Sequence, residues 1–139
     1  MMKRFVDTNV LLYSVGTNAA DQAKKFRARE LLLEGNLALS VQVLQEFYTQ
    51  ATRERSQRSL THEAAVTYVQ VFCSFPVQEM SVELLHAALA TKQRFQISYW
   101  DAAIIEAARA LGCATVLSED LNHGQDYGGV RVVNPFREA

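Results

Sequence analysis

Four acidic residues stand where carboxylates could act together: Asp7 in VDTNV, Glu46 in LQEF, Asp101 in YWDAAII and Asp120 in LSEDLNHG. Like charges gathered in one place destabilise one another unless a cation intervenes, and no lysine or arginine adjoins Asp7 or Asp101 along the chain. A hard divalent cation is the natural partner of such a set. Mg²⁺ prefers oxygen ligands, keeps several waters and takes only one or two carboxylates directly, which suits a site without His or Cys. The chemistry that such a site would support is metal-assisted hydrolysis of a phosphodiester. Zinc is excluded by the ligands at hand, since His62, His86 and His123 share no ligand spacing and Cys73 and Cys113 are two isolated thiols.

Each acid also has a plainer use. Asp7 is a good cap for the segment that follows it, and Asp101, three residues after Ser98, sits where a first-turn acid is favoured by the helix dipole. Glu46 could be a boundary residue on an amphipathic helix, and Asp120 a turn residue bonding its own backbone. Taken singly, none of the four is decisive; the case rests on the four together.

The elements that must position these acids follow from apolar patterning. Arg4 to Asp7 reads as a short strand that ends in an acid, and Thr8 onward as a helix. The stretch Asp21–Glu34 reads as a helix facing inward through Ala23, Phe26 and Leu33 and stopped by Gly35 and Asn36; Leu37–Leu39 is then a strand. From Ser40 a helix places Val43, Phe47 and Ala51 on one stripe, with Glu46 one position off it. Thr61 caps a helix carrying Val66, Val69 and Phe72 or Cys73 inward, and Pro76 breaks the chain after it. Ser81 starts a helix containing Leu85, Ala88 and Leu89; Ser98 starts another containing Ala102, Ile105, Ala108 and Leu111, ended by Gly112. Ala114–Leu117 and Val130–Val133 read as strands.

Strands that are continuously apolar and separated by helices imply an α/β fold with parallel pairing and helices on both faces. In such sheets ligands bind beyond the carboxyl ends of the strands, where Asp7 and Asp120 are both expected. The chain has 139 residues, 49% apolar and 21% charged, as expected of a single globular domain over residues 1–139. The amino terminus offers no apolar stretch for a signal peptide or membrane span, so a cytoplasmic protein is expected. Both cysteines are expected to be reduced and buried. A net charge of −1 gives no global attraction to nucleic acid. Basic clusters occur at Lys24, Lys25, Arg27 and Arg29 and at Arg53, Arg55 and Arg58, and read as solvated faces.

The motifs VDTNV, LQEF, YWDAAII and LSEDLNHG, in this order over nearly the whole chain, resemble the PIN-domain nucleases, specifically the VapC-type toxins. The resemblance implies a three-layer fold with a mostly parallel sheet of four to five strands. It also implies a Mg²⁺-dependent endoribonuclease, with Mn²⁺ as a substitute, that serves as the toxin of a toxin–antitoxin pair. Asp7, Glu46, Asp101 and Asp120 match the family's catalytic acids, with Asp7 and Asp101 as principal metal ligands and Thr8, Asn9 and Ser118 as residues that orient the carboxylates. At the fourth position Ser118, Glu119 and Asp120 match a pattern of small hydroxyl residue, any residue, acid, which selects Asp120 over its neighbour Glu119. The implied partners are RNA, a VapB-type antitoxin that brings an apolar helix and a basic residue to the crevice, and a second copy of the chain. The competing readings are a phospho-receiver domain, which needs a lysine in the crevice, and a PIN domain that only binds RNA.

Overall fold

The computed structural model describes residues 2–53 and 59–137. Five short strands, β1 (Arg4–Val6), β2 (Leu37–Ser40), β3 (Val77–Gln78), β4 (Thr115–Leu117) and β5 (Arg131–Val133), form one sheet in the order β3-β2-β1-β4-β5. Every pair is parallel, with Phe5 opposite Ala38 on one side and Val116 on the other. The central strands are buried on both faces, as their unbroken apolar sequence predicts: Phe5, Val6, Leu37, Ala38, Leu39, Val116 and Leu117 have almost no exposed surface. From β1 the chain runs outward to β2 and β3, and then returns to place β4 on the other side of β1. The junction of β1 and β4 is therefore the point where strand order reverses, and the crevice outside it is the place where such sheets bind ligands.

The helices are α1 (Thr8–Val15), α2 (Gln22–Glu34), α3 (Val41–Ala51), α4 (His62–Phe72), α5 (Val82–Phe95) and α6 (Tyr99–Ala110), with a 3₁₀ turn at Ala19–Asp21 leading into α2. Their starts carry hydroxyl caps, as the sequence indicates: Ser40, Thr61, Ser81 and Ser98 each accept a hydrogen bond from the N–H three residues on. Gly35, in the left-handed region, ends α2. Helix α5 stops without glycine, on Gln96 at φ +55°. No helix among the described residues is long and apolar enough to cross a membrane.

Three expectations are corrected. Helix α2 turns Ala28 and Leu31 to the core, whereas Ala23 is exposed and Phe26 and Leu33 are 67% and 87% exposed. Its apolar residues are spread around the helix, so their spacing does not single out the buried face. Helix α5 buries Leu84, Ala88 and Thr91 and leaves Leu85 and Leu89 largely outside. Cys73 is exposed just past α4, where Phe72 takes the inward place; Cys113 is buried as expected. The strand β3, only two residues long at the sheet edge, has no counterpart in the sequence reading.

The basic clusters are more structural than their sequence suggests. The Arg27 and Arg29 guanidinium groups donate to the backbone carbonyls of Pro135 and Ser14, and Lys24 pairs with Glu119. Arg53 is exposed, while Arg55 and Arg58 lie outside the described residues.

Candidate active site

The four acids reach one place from four separate elements. A crevice of about 100 Å³ beyond the carboxyl ends of β1 and β4 is lined by Asp7, Glu46, Asp101 and Asp120 together with Thr8, Asn9, Gln42 and Trp100. Asp7 follows β1 and caps α1, Glu46 lies on α3, Asp101 in the first turn of α6, and Asp120 in the loop after β4. No lysine or arginine lines the crevice among the described residues. The crevice lysine that a phospho-receiver requires is thus missing from the described lining.

Asp7 is buried, and both of its oxygens are held: Oδ1 accepts the Thr8 N–H at 2.8 Å and Oδ2 the Ser118 hydroxyl at 2.7 Å. One side chain thus both caps α1 and lines the crevice. Burial pushes its pKa from 3.8 up to about 6; the bonds from Ser118 and Thr8 oppose the rise, and repulsion from Glu46 and Asp120 adds to it. Glu46 is likewise raised, first by burial, then by the charges of Asp101 and Asp120, against hydrogen bonds from Gln42 and Thr8. The mutual repulsion expected from the sequence is therefore present in the fold.

The residues expected to orient the acids do touch them. Ser118, fully buried, donates to Asp7 while its oxygen accepts the N–H groups of Asp120 and Leu121. The Asn9 amide donates to Asp120 Oδ2 at 3.2 Å and its carbonyl accepts the Glu119 N–H, stitching α1 to the loop after β4. Thr8 Oγ1 contacts Glu46 Oε1 at 3.4 Å. Ser98 accepts the Asp101 N–H and so sets the first turn of α6.

Glu119 and Asp120 are separated by what surrounds them. The Glu119 carboxylate accepts the Tyr13 hydroxyl at 2.6 Å and pairs with Lys24 at 2.7 Å, away from the crevice lining. Burial acts to raise its pKa, but the bonds from Lys24 and Tyr13 outweigh this and leave it lowered. Asp120 has no such cation beside it and lines the crevice.

Sequence reasoning missed Gln42. Its buried amide donates to Glu46 Oε1 at 3.3 Å and to the Trp100 carbonyl at 3.2 Å, tying α3 to the start of α6. The signal was available, because residues four apart share a helix face and Gln42 is four before Glu46. A wider hollow of about 750 Å³ between α2 and the carboxyl-terminal segment is not the acid site; among the described residues its lining includes one carboxylate, Glu30, which pairs with Arg27.

The carboxylates do not form a ready-made cage: among the described residues no three His, Cys, Asp or Glu side chains stand close enough to hold an ion between them. A hydrated Mg²⁺ does not require one, since it binds through one or two carboxylates and otherwise through water. An all-oxygen donor set with no neutralising side chain fits that ion.

Comparison with functionally curated proteins gives no significant match. Among solved structures, the chain is similar to VapC20 of Mycobacterium tuberculosis, described as a sarcin-ricin loop cleaving toxin, at 22% identity and a TM-score of 0.66 over 85% of this chain and 90% of that one. It is also similar to a chain of a toxin-antitoxin complex from Klebsiella pneumoniae (18% identity, TM-score 0.68, 96% and 98% covered). A third similar chain comes from DNA-bound VapBC of Salmonella typhimurium (19%, 0.66, 97% and 99%). At these identities the likeness establishes a common fold. The PIN domain family model matches residues 4–125, a span that runs from β1 past Asp120 and takes in all four acids, and the chain belongs to the PIN domain family.

Proposed function

We propose that the chain, acting as one domain over residues 1–139, is a Mg²⁺-dependent endoribonuclease and the toxin of a toxin–antitoxin pair in the cytoplasm. The observation that carries this reading is the convergence of four carboxylates, without a basic side chain among the described residues of the lining, on the crevice where strand order reverses. Membership of the PIN family supports nuclease activity. The structurally similar chains, a sarcin-ricin loop cleaving toxin and a member of a toxin-antitoxin complex, support RNA as substrate and an antitoxin as inhibitor.

Asp7 and Asp101 would hold the cation, Mg²⁺ or Mn²⁺, with Glu46 and Asp120 lining the same crevice. When bound, the ion supplies Lewis acidity toward the phosphoryl oxygens and lowers the pKa of water. The protein's own part is positioning. Ser118 and the Thr8 N–H leave Asp7 a single orientation, Asn9 fixes Asp120, and Thr8 and Gln42 hold one oxygen of Glu46. The other oxygen of Glu46 is then available to accept a proton from the attacking water, and its raised pKa suits it to that task. Water oxygen bonds to phosphorus as its proton passes to Glu46, the bond from phosphorus to the 3′ oxygen breaks, and that oxygen takes up a proton from solvent water.

The products should therefore carry 5′-phosphate and 3′-hydroxyl ends. Ligation-dependent sequencing of RNA fragments from the purified protein checks this, and 2′,3′-cyclic phosphate ends would overturn it. The exposed Phe26 and Leu33 on α2 offer apolar surface for an antitoxin helix, and a homodimer is part of the same proposal.

A further inference from the structure

Trp100 is the only tryptophan in the chain, and at 62% exposure it is conspicuously uncovered for so large an apolar side chain. It lines the acid crevice and directly precedes Asp101. Its setting is fixed from two sides: the Gln42 amide donates to its carbonyl at 3.2 Å, and its ring meets that of Tyr99 edge-on at 5.0 Å and 80°. Tyr99 in turn packs on the small cluster of Ala88, Ala102 and Ala103 between α5 and α6. The backbone at Trp100 is thus tied to α3 and one edge of its ring meets Tyr99, while most of the indole is left to solvent, an arrangement that loses the gain from burial.

The crevice also has a shortage that the indole would meet. Among the described residues its lining includes no lysine or arginine to grip a substrate phosphate by charge. What remains for adhesion, besides the acids and amides, is apolar surface from Trp100, Leu12 and Ile104. Every nucleobase has a π face, and stacking on an aromatic side chain holds a single strand without regard to its sequence. We propose that Trp100 is the platform on which an unpaired nucleobase of the substrate stacks, beside the phosphate that the acids address. The inference rests on the ribonuclease reading above and adds to it a base-binding subsite.

Because Trp100 is the sole indole, intrinsic tryptophan fluorescence reports on this subsite alone. The probes are a hexaadenylate RNA and a hexameric ribose-phosphate of equal length without bases, titrated with Mg²⁺ into the Asp120→Asn variant, which keeps Asp7, Asp101 and the indole. Hexaadenylate should quench the emission and the abasic strand should not. In parallel, anisotropy of end-labelled hexaadenylate should show binding weakened at least about fivefold by Trp100→Ala and largely restored in Trp100→Phe, with both variants folded by circular dichroism. Equal quenching by both strands, or binding by anisotropy with unchanged emission, would overturn the proposal; the latter is the result expected if Trp100 instead meets a protein partner. If neither strand binds and the wild type cleaves no RNA, the ribonuclease reading falls and the subsite with it.

Discussion

Asp7 shows most sharply how stability and function oppose each other at one residue. Its folded pKa of about 6 lies above the 3.8 of an unperturbed aspartate, so the fold prefers the neutral acid. The stabilisation from that preference is fully present below about pH 4 and is lost as pH rises through 6. Holding the ionised form at neutral pH then costs about 3 kcal/mol. Asn keeps an acceptor for the Thr8 N–H but carries no charge, which makes Asp7→Asn the informative change. In EDTA, the midpoint of the variant relative to the wild type should climb between pH 4 and pH 7, from a start lowered by loss of the Ser118 bond, which the amide nitrogen cannot accept. Mg²⁺ at neutral pH should raise the wild-type midpoint and barely move the variant, because binding to the native state alone stabilises it. Parallel pH profiles, or equal shifts with Mg²⁺, would remove Asp7 from the metal site. The sequence singled out Asp7 as an acid at a strand end, and the resemblance to the PIN-domain nucleases added Thr8, Asn9 and Ser118 as the residues around it. It did not reveal Gln42, whose role depends on where α6 begins relative to α3.

At the level of elements, caps were legible and inward faces only in part. Ser40, Thr61, Ser81 and Ser98 act as read, because a cap is a local bond within four residues. The face of α2 was misread because its apolar residues surround the helix, and that of α5 because it carries two adjacent apolar stripes, where the choice between 84-88 and 85-89 is made by what packs opposite. In α5 the small residue Ala88 admits Ala102 and Ala103 of α6 at close quarters, and Thr91 bonds the buried Glu106 at 2.8 Å. The stop of α5 was also hidden, since Gln96 adopts a backbone conformation that favours glycine. Gln96→Gly should therefore stabilise the protein by about 0.5–1 kcal/mol in chemical denaturation, less whatever the side-chain bond to Gln93 contributes. A destabilised variant would show that this bond outweighs the backbone cost. The turn matters to the site because Gln96 ends α5 two residues before Ser98, the residue that starts the helix of Asp101.

The whole molecule is organised by the reversal of strand order at β1 and β4, which brings residues more than a hundred positions apart into bonding distance, as Ser118 with Asp7 and Asn9 with Asp120. Parallel pairing was readable because β1, β2 and β4 carry runs of consecutive apolar residues, Phe5–Val6, Leu37–Leu39 and Val116–Leu117, rather than alternating ones; β3 was not, because two residues at a sheet edge carry no pattern. Net charge said little about function, since lysines and arginines such as Lys24, Arg27 and Arg29 are occupied inside the fold. The charge that matters is local and negative, and it defines the central claim, that the crevice acids perform metal-dependent hydrolysis of RNA. The most direct test is the rate of RNA cleavage by purified wild type, Asp7→Asn, Asp101→Asn, Asp120→Asn and Glu119→Gln proteins with Mg²⁺, each first shown to be folded. Asp7→Asn and Asp101→Asn should be inactive, Asp120→Asn at least about tenfold slower, equivalent to roughly 1.4 kcal/mol, and Glu119→Gln less affected than Asp120→Asn. EDTA should abolish cleavage by the wild type. Full activity in folded Asp7→Asn or Asp101→Asn, or cleavage indifferent to EDTA, would contradict the account.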